Sequence, residues 1–215
     1  MGIAELNERD QLLLIKAHII LYGDAASNSL AQLIAGEIET YWNEPKASVN
    51  IKAEIFTVQF KITAENKPSL QPEEIFENTN PLLNYFRVEE YSAIDISFVD
   101  GLGCNTGYFK LLNLSNGSTT AAHEFGHTLG LEHPENLNII GEGIPGIMYP
   151  RGTLVDSQFQ YDPSVPPGVV GGTMNPAFRK VRQQDIDDLR LHKLAFNKQG
   201  IAIVGEFSSI WHNKH

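Results

Sequence analysis

The sequence has little cysteine and little basic charge. Its single cysteine, Cys104, excludes a framework of internal disulfides, so stability has to come from a hydrophobic core. No apolar run approaches the roughly 20 residues that a membrane-spanning helix requires. Only 16 Lys and Arg face 26 Asp and Glu, and the net charge is −10. Because nucleic-acid binding needs a cationic surface, the sequence predicts a globular chain that binds neither nucleic acid nor a membrane.

The N-terminus lacks the features of a signal peptide. Residues 1–10 include acidic side chains, and the apolar stretch Leu12–Ile15 is short and has no small-residue cleavage site after it. We therefore expect an extracellular protein that is exported without a classical signal peptide, or a module excised from a larger secreted chain. A length of 215 residues is enough for one domain with a good core.

The most informative segment is residues 123–133, which read His-Glu-Phe-Gly-His-Thr-Leu-Gly-Leu-Glu-His, or H-E-x-x-H-x-x-G-x-x-H. Residues four apart share one face of a helix, so His123 and His127 can offer ring nitrogens to one metal ion. Gly130 is suited to end that helix, because a residue without Cβ adopts positive φ at little cost. The chain can then turn back and bring His133 to the metal as a third ligand.

Three protein ligands leave a fourth position on Zn²⁺ for water, which is typical of catalytic zinc sites. Glu124 follows the first ligand, and we predict that it points at the fourth position as the general base. One alternative is a helix with solvated histidines, and another is a zinc site kept only for stability. Glu124 argues against the second, because a structural site has no use for a carboxylate beside an open position. The sequence therefore predicts one catalytic zinc ion.

A second motif follows at residues 146–150, which read Gly-Ile-Met-Tyr-Pro, with Met148 standing 15 residues beyond His133. Together with the long histidine motif, it resembles the Met-turn of the metzincin metalloproteases, and its wording is closest to the matrix-metalloprotease-like branch. The resemblance implies that Met148 lies beneath the three histidines as a hydrophobic floor. It also implies a zinc-dependent endopeptidase whose substrate is a protein or peptide.

The resemblance further implies an α+β fold of the zincin type. We expect a twisted mixed β-sheet, an active-site helix above the cleft, and a mostly irregular lower lobe with a C-terminal helix. The whole chain, 1–215, would then form a single metallopeptidase domain, with an upper lobe of about 1–130 and a lower lobe of about 131–215.

Periodicity predicts the individual elements. The expected strands are Lys16–Tyr22, two alternating runs over 49–62 with a turn between Ile55 and Phe56, Ile94–Phe98, and Tyr108–Leu114. The expected helices run from Ser27 or Asn28 to about Trp42, with Leu30, Leu33, Ile34, Ile38 and Tyr41 on the packed face, and from Arg179 to Phe196. We expect Tyr108–Leu114 to be the edge strand that borders the cleft and to bind an extended substrate.

Tyrosines and acidic residues near the motifs are further candidates. Tyr149 directly follows Met148, so it does not match the zinc-approaching tyrosine of the astacin and serralysin branches, which stands two places after the methionine. We interpret Tyr149 and Tyr161 as candidate walls of the substrate pocket. Asp156 and Asp162 are candidate calcium ligands, although no D-x-[DN]-x-[DN]-G pattern supports a calcium site. We interpret Cys104 as a small loop or core residue rather than a thiol that silences the zinc.

Two further segments, residues 146–152 and 171–176, resemble C-terminal peptidase modules of bacterial Rhs-type polymorphic toxins. That resemblance implies a module excised from a toxin chain, a specific intracellular target, and a cognate inhibitor or immunity protein as partner. The remaining alternative is a catalytically silent, zinc-containing binding module.

Overall fold

The computed structural model describes residues 1–92, 95–114 and 117–214, and this part of the chain is built on a mixed β-sheet. Its strands are β1 (Gly2–Asn7), β2 (Leu12–Tyr22), β3 (Ser48–Ile51), β4 (Glu54–Asn66), β5 (Leu83–Glu89), β6 (Phe98–Val99), β7 (Thr106–Lys110) and β8 (Ile201–Val204). Its helices are α1 (Asn28–Asn43), α2 (Pro72–Phe76), α3 (Thr120–Thr128) and α4 (Gln183–Asp188). A mixed sheet with few helices confirms the predicted α+β class.

The main path of the sheet has the order β3-β4-β2-β5-β7-β6. Strand β2 is central, because it pairs in parallel with β4 along its length and with β5 along its C-terminal half. The N-terminal half of β2 pairs with β1, which in turn pairs with β8. Residues 201–204, near the end of the chain, therefore join the same sheet as β1 and β2.

The last strand of this order is β6, which among the described residues pairs with β7 alone and runs antiparallel to it. The prediction that Tyr108–Leu114 is the edge strand is therefore wrong. Strand β7 lies between β5 and β6, and the chain leaves it at Lys110 for a 3₁₀ turn over Leu111–Leu114. The predicted strand Ile94–Phe98 survives only as β6, and Ile94 lies outside the described residues.

The hairpin of β3 and β4 turns earlier than predicted. The turn lies at Lys52 and Ala53, which both adopt positive φ, and not between Ile55 and Phe56. Residues Glu54 and Ile55 already belong to β4, and Ile55 is 65% exposed, so the alternation of buried side chains begins at Phe56.

Helix α1 begins where Ser27 caps it, since the Ser27 hydroxyl accepts a hydrogen bond from the backbone N–H of Leu30 at 3.2 Å. The prediction of this helix is confirmed, but its buried face is turned from the predicted one. The buried side chains are Ala31, Ile34, Ala35, Ile38 and Trp42, whereas Leu33 is 54% exposed. None of the helices in the described part of the chain has the length and apolar character needed to cross a membrane.

The predicted C-terminal helix Arg179–Phe196 is wrong in its extent. Helix α4 has only six residues, Gln183–Asp188, and a 3₁₀ turn follows at Leu191–Lys193. Arg190, between them, adopts a left-handed φ of 51°, which a continuous α-helix does not accommodate. The Asp185 carboxylate caps the start of α4 by accepting a hydrogen bond from the backbone N–H of Arg182 at 2.7 Å.

Candidate metal centre

The site is carried by α3, which is buried almost along its whole length. The helix ends in a Schellman motif: the N–H of Gly130 donates to the His127 carbonyl, and the N–H of Leu131 donates to the Gly126 carbonyl, both at 3.0 Å. Gly130 adopts a φ of 99°, as a glycine in this position can. The predicted helix end at Gly130 is therefore confirmed, and the turn brings the chain back toward His127.

Three histidine rings converge beyond this turn. Nε2 of His133 lies 3.1 Å from Nε2 of His123 and 3.1 Å from Nε2 of His127. The ligand atoms of all three residues lie within 4.8 Å of one another. In the described chain this is the one group of three or more His, Cys, Asp or Glu that could hold a metal ion. The predicted ligand set is thus brought together.

Backbone carbonyls orient two of the rings. Nδ1 of His123 lies 2.8 Å from the carbonyl oxygen of Ile147, and Nδ1 of His127 lies 2.7 Å from that of Leu131. A carbonyl oxygen can only accept, so Nδ1 carries the hydrogen in both rings and Nε2 keeps its lone pair. Such outer contacts are the usual means of fixing the tautomer of a metal-binding histidine.

Burial keeps these rings neutral. It is the largest cause of the lowered pKa values of His123, His127 and His133, and the pKa of His133 falls to about 4. The positive charge of Arg179 lowers all three values further. At neutral pH the rings are unprotonated, so protons do not compete with a metal for the lone pairs.

The geometry fits a tetrahedral metal ion. Nitrogens bound to zinc at the usual 2.0–2.1 Å lie roughly 3.3–3.4 Å from one another. The two measured separations of 3.1 Å are close to that value. Two lone pairs at such a distance repel each other unless a cation lies between them, so the three acceptors are arranged for a shared cation.

Glu124 lines the same cleft as the three histidines, and its side chain is buried. Burial raises its pKa to about 8, while the charges of Arg179 and Arg151 act in the opposite direction. A carboxyl group with this pKa can both accept and return a proton near neutral pH.

The cleft has a volume of about 540 Å³. Its lining includes β6 and its neighbours, namely Ile96–Val99 with Gly101 and Leu102. The lining also includes Asn113, Pro150, Arg151 and Arg179 together with the three histidines. The edge strand and the candidate metal centre therefore face one common cleft.

Residues 146–150, here called the Met-turn segment after the motif that they resemble, pack directly against α3. A methyl group placed on Gly126 would lie only 2.3 Å from Sδ of Met148, so the backbone of the helix and the methionine are in close contact. The carbonyl oxygen of the preceding residue, Ile147, is the one that orients His123. In the same segment, Gly146 forms an isolated β-bridge with Lys180. The backbone N–H of Ile147 donates a hydrogen bond to the Asp185 carboxylate.

Sequence reasoning missed three residues that shape this site. Arg179 is buried and donates hydrogen bonds to Thr119 Oγ1 and to the Tyr149 and Ser118 carbonyls at 2.9–3.2 Å. Glu37 of α1 faces the backbone N–H groups of Ala121 and Ala122 in the first turn of α3. Arg151 lines the cleft. The position of Arg151 directly after residues 146–150 could have marked it as a cleft residue. No sequence pattern marks Arg179 or Glu37 in this way.

The other candidates lie elsewhere. Neither Tyr149 nor Tyr161 is among the residues that line the cleft; Tyr149 packs against Ile139, Val155 and Met174, and Tyr161 is exposed. Their role in a substrate pocket stays a prediction. Asp156 and Asp162 accept hydrogen bonds from Gly141 and Ser164 and belong to no metal-binding group in the described chain. The Cys104 thiol has a pKa raised by burial and does not line the cleft.

Metal binding is the first testable consequence. We expect one Zn²⁺ per chain, and Zn²⁺ at 100 times its Kd should raise the free energy of unfolding by about 2.7 kcal/mol. His133→Ala should abolish this gain, because two ligands remain of three. Zinc content by mass spectrometry and thermal melts with and without zinc measure both effects. The exposed His192→Ala is the control, and unchanged zinc binding by His133→Ala would refute the ligand set.

Packing at Gly126 gives a second prediction with an internal control. Within a helix, replacing glycine by alanine raises the free energy of unfolding by about 0.5–1 kcal/mol. Overpacking a filled core lowers it by about 1–3 kcal/mol. At Gly36 of α1 an added methyl meets no atom within 4 Å, so Gly36→Ala should stabilise. Gly126→Ala should destabilise, because Met148 Sδ occupies the space. Denaturant unfolding of both variants tests this, and stabilisation by Gly126→Ala would contradict the tight contact.

No protein-family model matches the chain, and no curated protein is significantly similar to it. Inference about its function therefore depends on the residues and the geometry of the site.

Proposed function

We propose that this protein is a zinc-dependent endopeptidase. The observation that carries the proposal is the convergence of three neutral imidazoles in a cleft that also contains a buried carboxyl group, Glu124. The spacing of these residues along α3 and its terminal turn is that of a metalloprotease motif.

Zinc suits this ligand set better than the harder cations. Neutral imidazole nitrogens favour zinc and its transition-metal neighbours, whereas calcium and magnesium require oxygen ligands. Three histidines with an open fourth position are a known catalytic zinc arrangement. Zn²⁺ held by His123, His127 and His133 would polarise the substrate carbonyl and lower the pKa of water.

Glu124 performs the proton transfers in this proposal. Its carboxylate takes a proton from the water molecule as the water oxygen bonds to the carbonyl carbon of the scissile peptide bond. The C–N bond then breaks, and Glu124 returns the proton to the departing amine nitrogen. The pKa of about 8, raised by burial, supports this role, because the carboxyl group can hold a proton between the two steps.

An extended peptide is the substrate that the cleft favours. Strand β6 has a free edge at the end of the described sheet, and its residues Phe98 and Val99 line the cleft beside the histidines. A substrate chain can add to such an edge through main-chain hydrogen bonds. A substrate bound in this way is recognised through its backbone rather than through one of its ends. This mode of binding therefore suits cleavage within a polypeptide.

Replacement of Glu124 tests the proposal. Glu124→Gln keeps the size of the side chain and removes the proton acceptor, so peptide cleavage should fall by at least about 100-fold, which is the low end for a lost general base. Zinc content should stay near one per chain. Casein digestion and a quenched-peptide library report the activity, and mass spectrometry reports the metal.

Glu132→Gln is the matched control, because Glu132 is an exposed carboxylate one residue before His133 and does not line the cleft. It should digest casein at the wild-type rate. A wild-type protein that holds zinc but cleaves nothing would instead favour the silent binding module. Cleavage that persists undiminished in Glu124→Gln would show that another group is the base.

A further inference from the structure

The charge of the cleft is opposite to that of the chain. The protein carries a net charge of −10, yet two arginines, Arg151 and Arg179, line the cleft. Glu124 is the one acidic residue among the described residues that line it. Bound zinc would add further positive charge. A cleft of this kind attracts an anionic group in its substrate.

Arg179 is a buried cation whose donors are not all used. Its exposed fraction is 2%, and its three hydrogen bonds go to neutral oxygens, those of Thr119, Tyr149 and Ser118. A guanidinium has five N–H donors, so two have no acceptor among the described residues. The buried Arg87 differs, because its guanidinium forms an ion pair with Glu89 at 2.5 Å.

Arg151 is exposed and also without an acidic partner in the described chain. Its one hydrogen bond in the described structure goes from Nη2 to Oδ1 of Asn113, at 3.2 Å. Arg151 and Arg179 line the same cleft as Glu124, and the charges of the three side chains act on one another. Glu124 supplies at most one negative charge against the two guanidiniums, so a net positive charge remains in the cleft, and keeping it partly buried costs free energy. An incoming anion would relieve that cost.

We propose that Arg151 and Arg179 form a carboxylate-binding subsite beside the three histidines. A guanidinium presents paired N–H donors that match the two oxygens of a carboxylate. The preferred substrates then carry a carboxylate close to the scissile bond, either on a Glu or Asp side chain or at a free C-terminus. This inference rests on the proposed peptidase function and names its substrate class.

The test compares matched peptides. Around a cleavage sequence taken from a peptide library, Glu or Gln is placed at each position within three residues of the scissile bond. A second series ends at the same positions in a free carboxylate or in an amide, which separates the two sources of the carboxylate. The measured quantity is the ratio of kcat/KM within each pair.

For the wild-type protein we expect the carboxylate to be favoured at least about tenfold at one position, the effect of a charge-assisted hydrogen bond. Arg151→Ala should reduce that ratio, and Arg151→Glu should reverse it in favour of the Gln peptide. Arg9→Ala, in the exposed turn between β1 and β2, should keep the wild-type ratio. Arg179→Lys should also lower the ratio. If the Arg179→Lys protein does not fold, the ratios measured for the Arg151 variants test the subsite.

Equal kcat/KM for both members of every pair, or a ratio that Arg151→Glu leaves unchanged, would overturn the subsite. If no peptide is cleaved, the proposed peptidase function fails, and the subsite is then judged by binding. Fluorescence anisotropy of the same labelled peptides with the zinc-loaded protein supplies that measurement. Tighter binding of the Glu peptide that is lost in Arg151→Glu supports the subsite, and equal binding rejects it.

Discussion

The site depends on two hydrogen bonds between histidine rings and the backbone. The carbonyls of Ile147 and Leu131 hold the Nδ1 atoms of His123 and His127, and the Nε2 atoms therefore point toward His133. Both carbonyls belong to segments that follow the helix, one after the turn at Gly130 and one in the Met-turn segment. The ligand geometry is thus set by how the chain returns to α3 after leaving it.

This return requires α3 to be held firmly, although the helix has only nine residues. Helices of that length are marginal in isolation, so packing has to stabilise it. Trp42 of α1 donates from Nε1 to the Ala122 carbonyl at 3.0 Å, and its ring meets Phe60 of β4 and Phe125 of α3. From below, Met148 reaches the helix backbone at Gly126. Helix α3 is therefore held in place by packing contacts with the sheet, with α1 and with the Met-turn segment.

Local features of the site could be predicted from the sequence, and features that depend on distant partners could not. The pairing of His123 with His127 follows from helical spacing, and the end of α3 follows from the freedom of Gly130. In contrast, β1 pairs with β8 from the other end of the chain, and neither segment carries a signal for that register. The turn of the β3–β4 hairpin was misplaced because the apolar Ile55 continued the alternation although its side chain is exposed.

Arg179 shows why the electrostatics of the cleft could not be read from the sequence. It lies in an irregular segment, and only the folded chain brings it to α3, where its charge lowers the pKa values of the three histidines and of Glu124. The charge of Arg179 adds to the effect of burial in keeping the rings deprotonated, yet it also opposes the binding of a metal cation. Glu124 offsets that repulsion in part when it is ionised, and an anion in the cleft would offset more of it. If the chain is the zinc peptidase proposed above, metal affinity and substrate charge would therefore be coupled through Arg179, and the metal would be held most tightly when a negative group is present beside it.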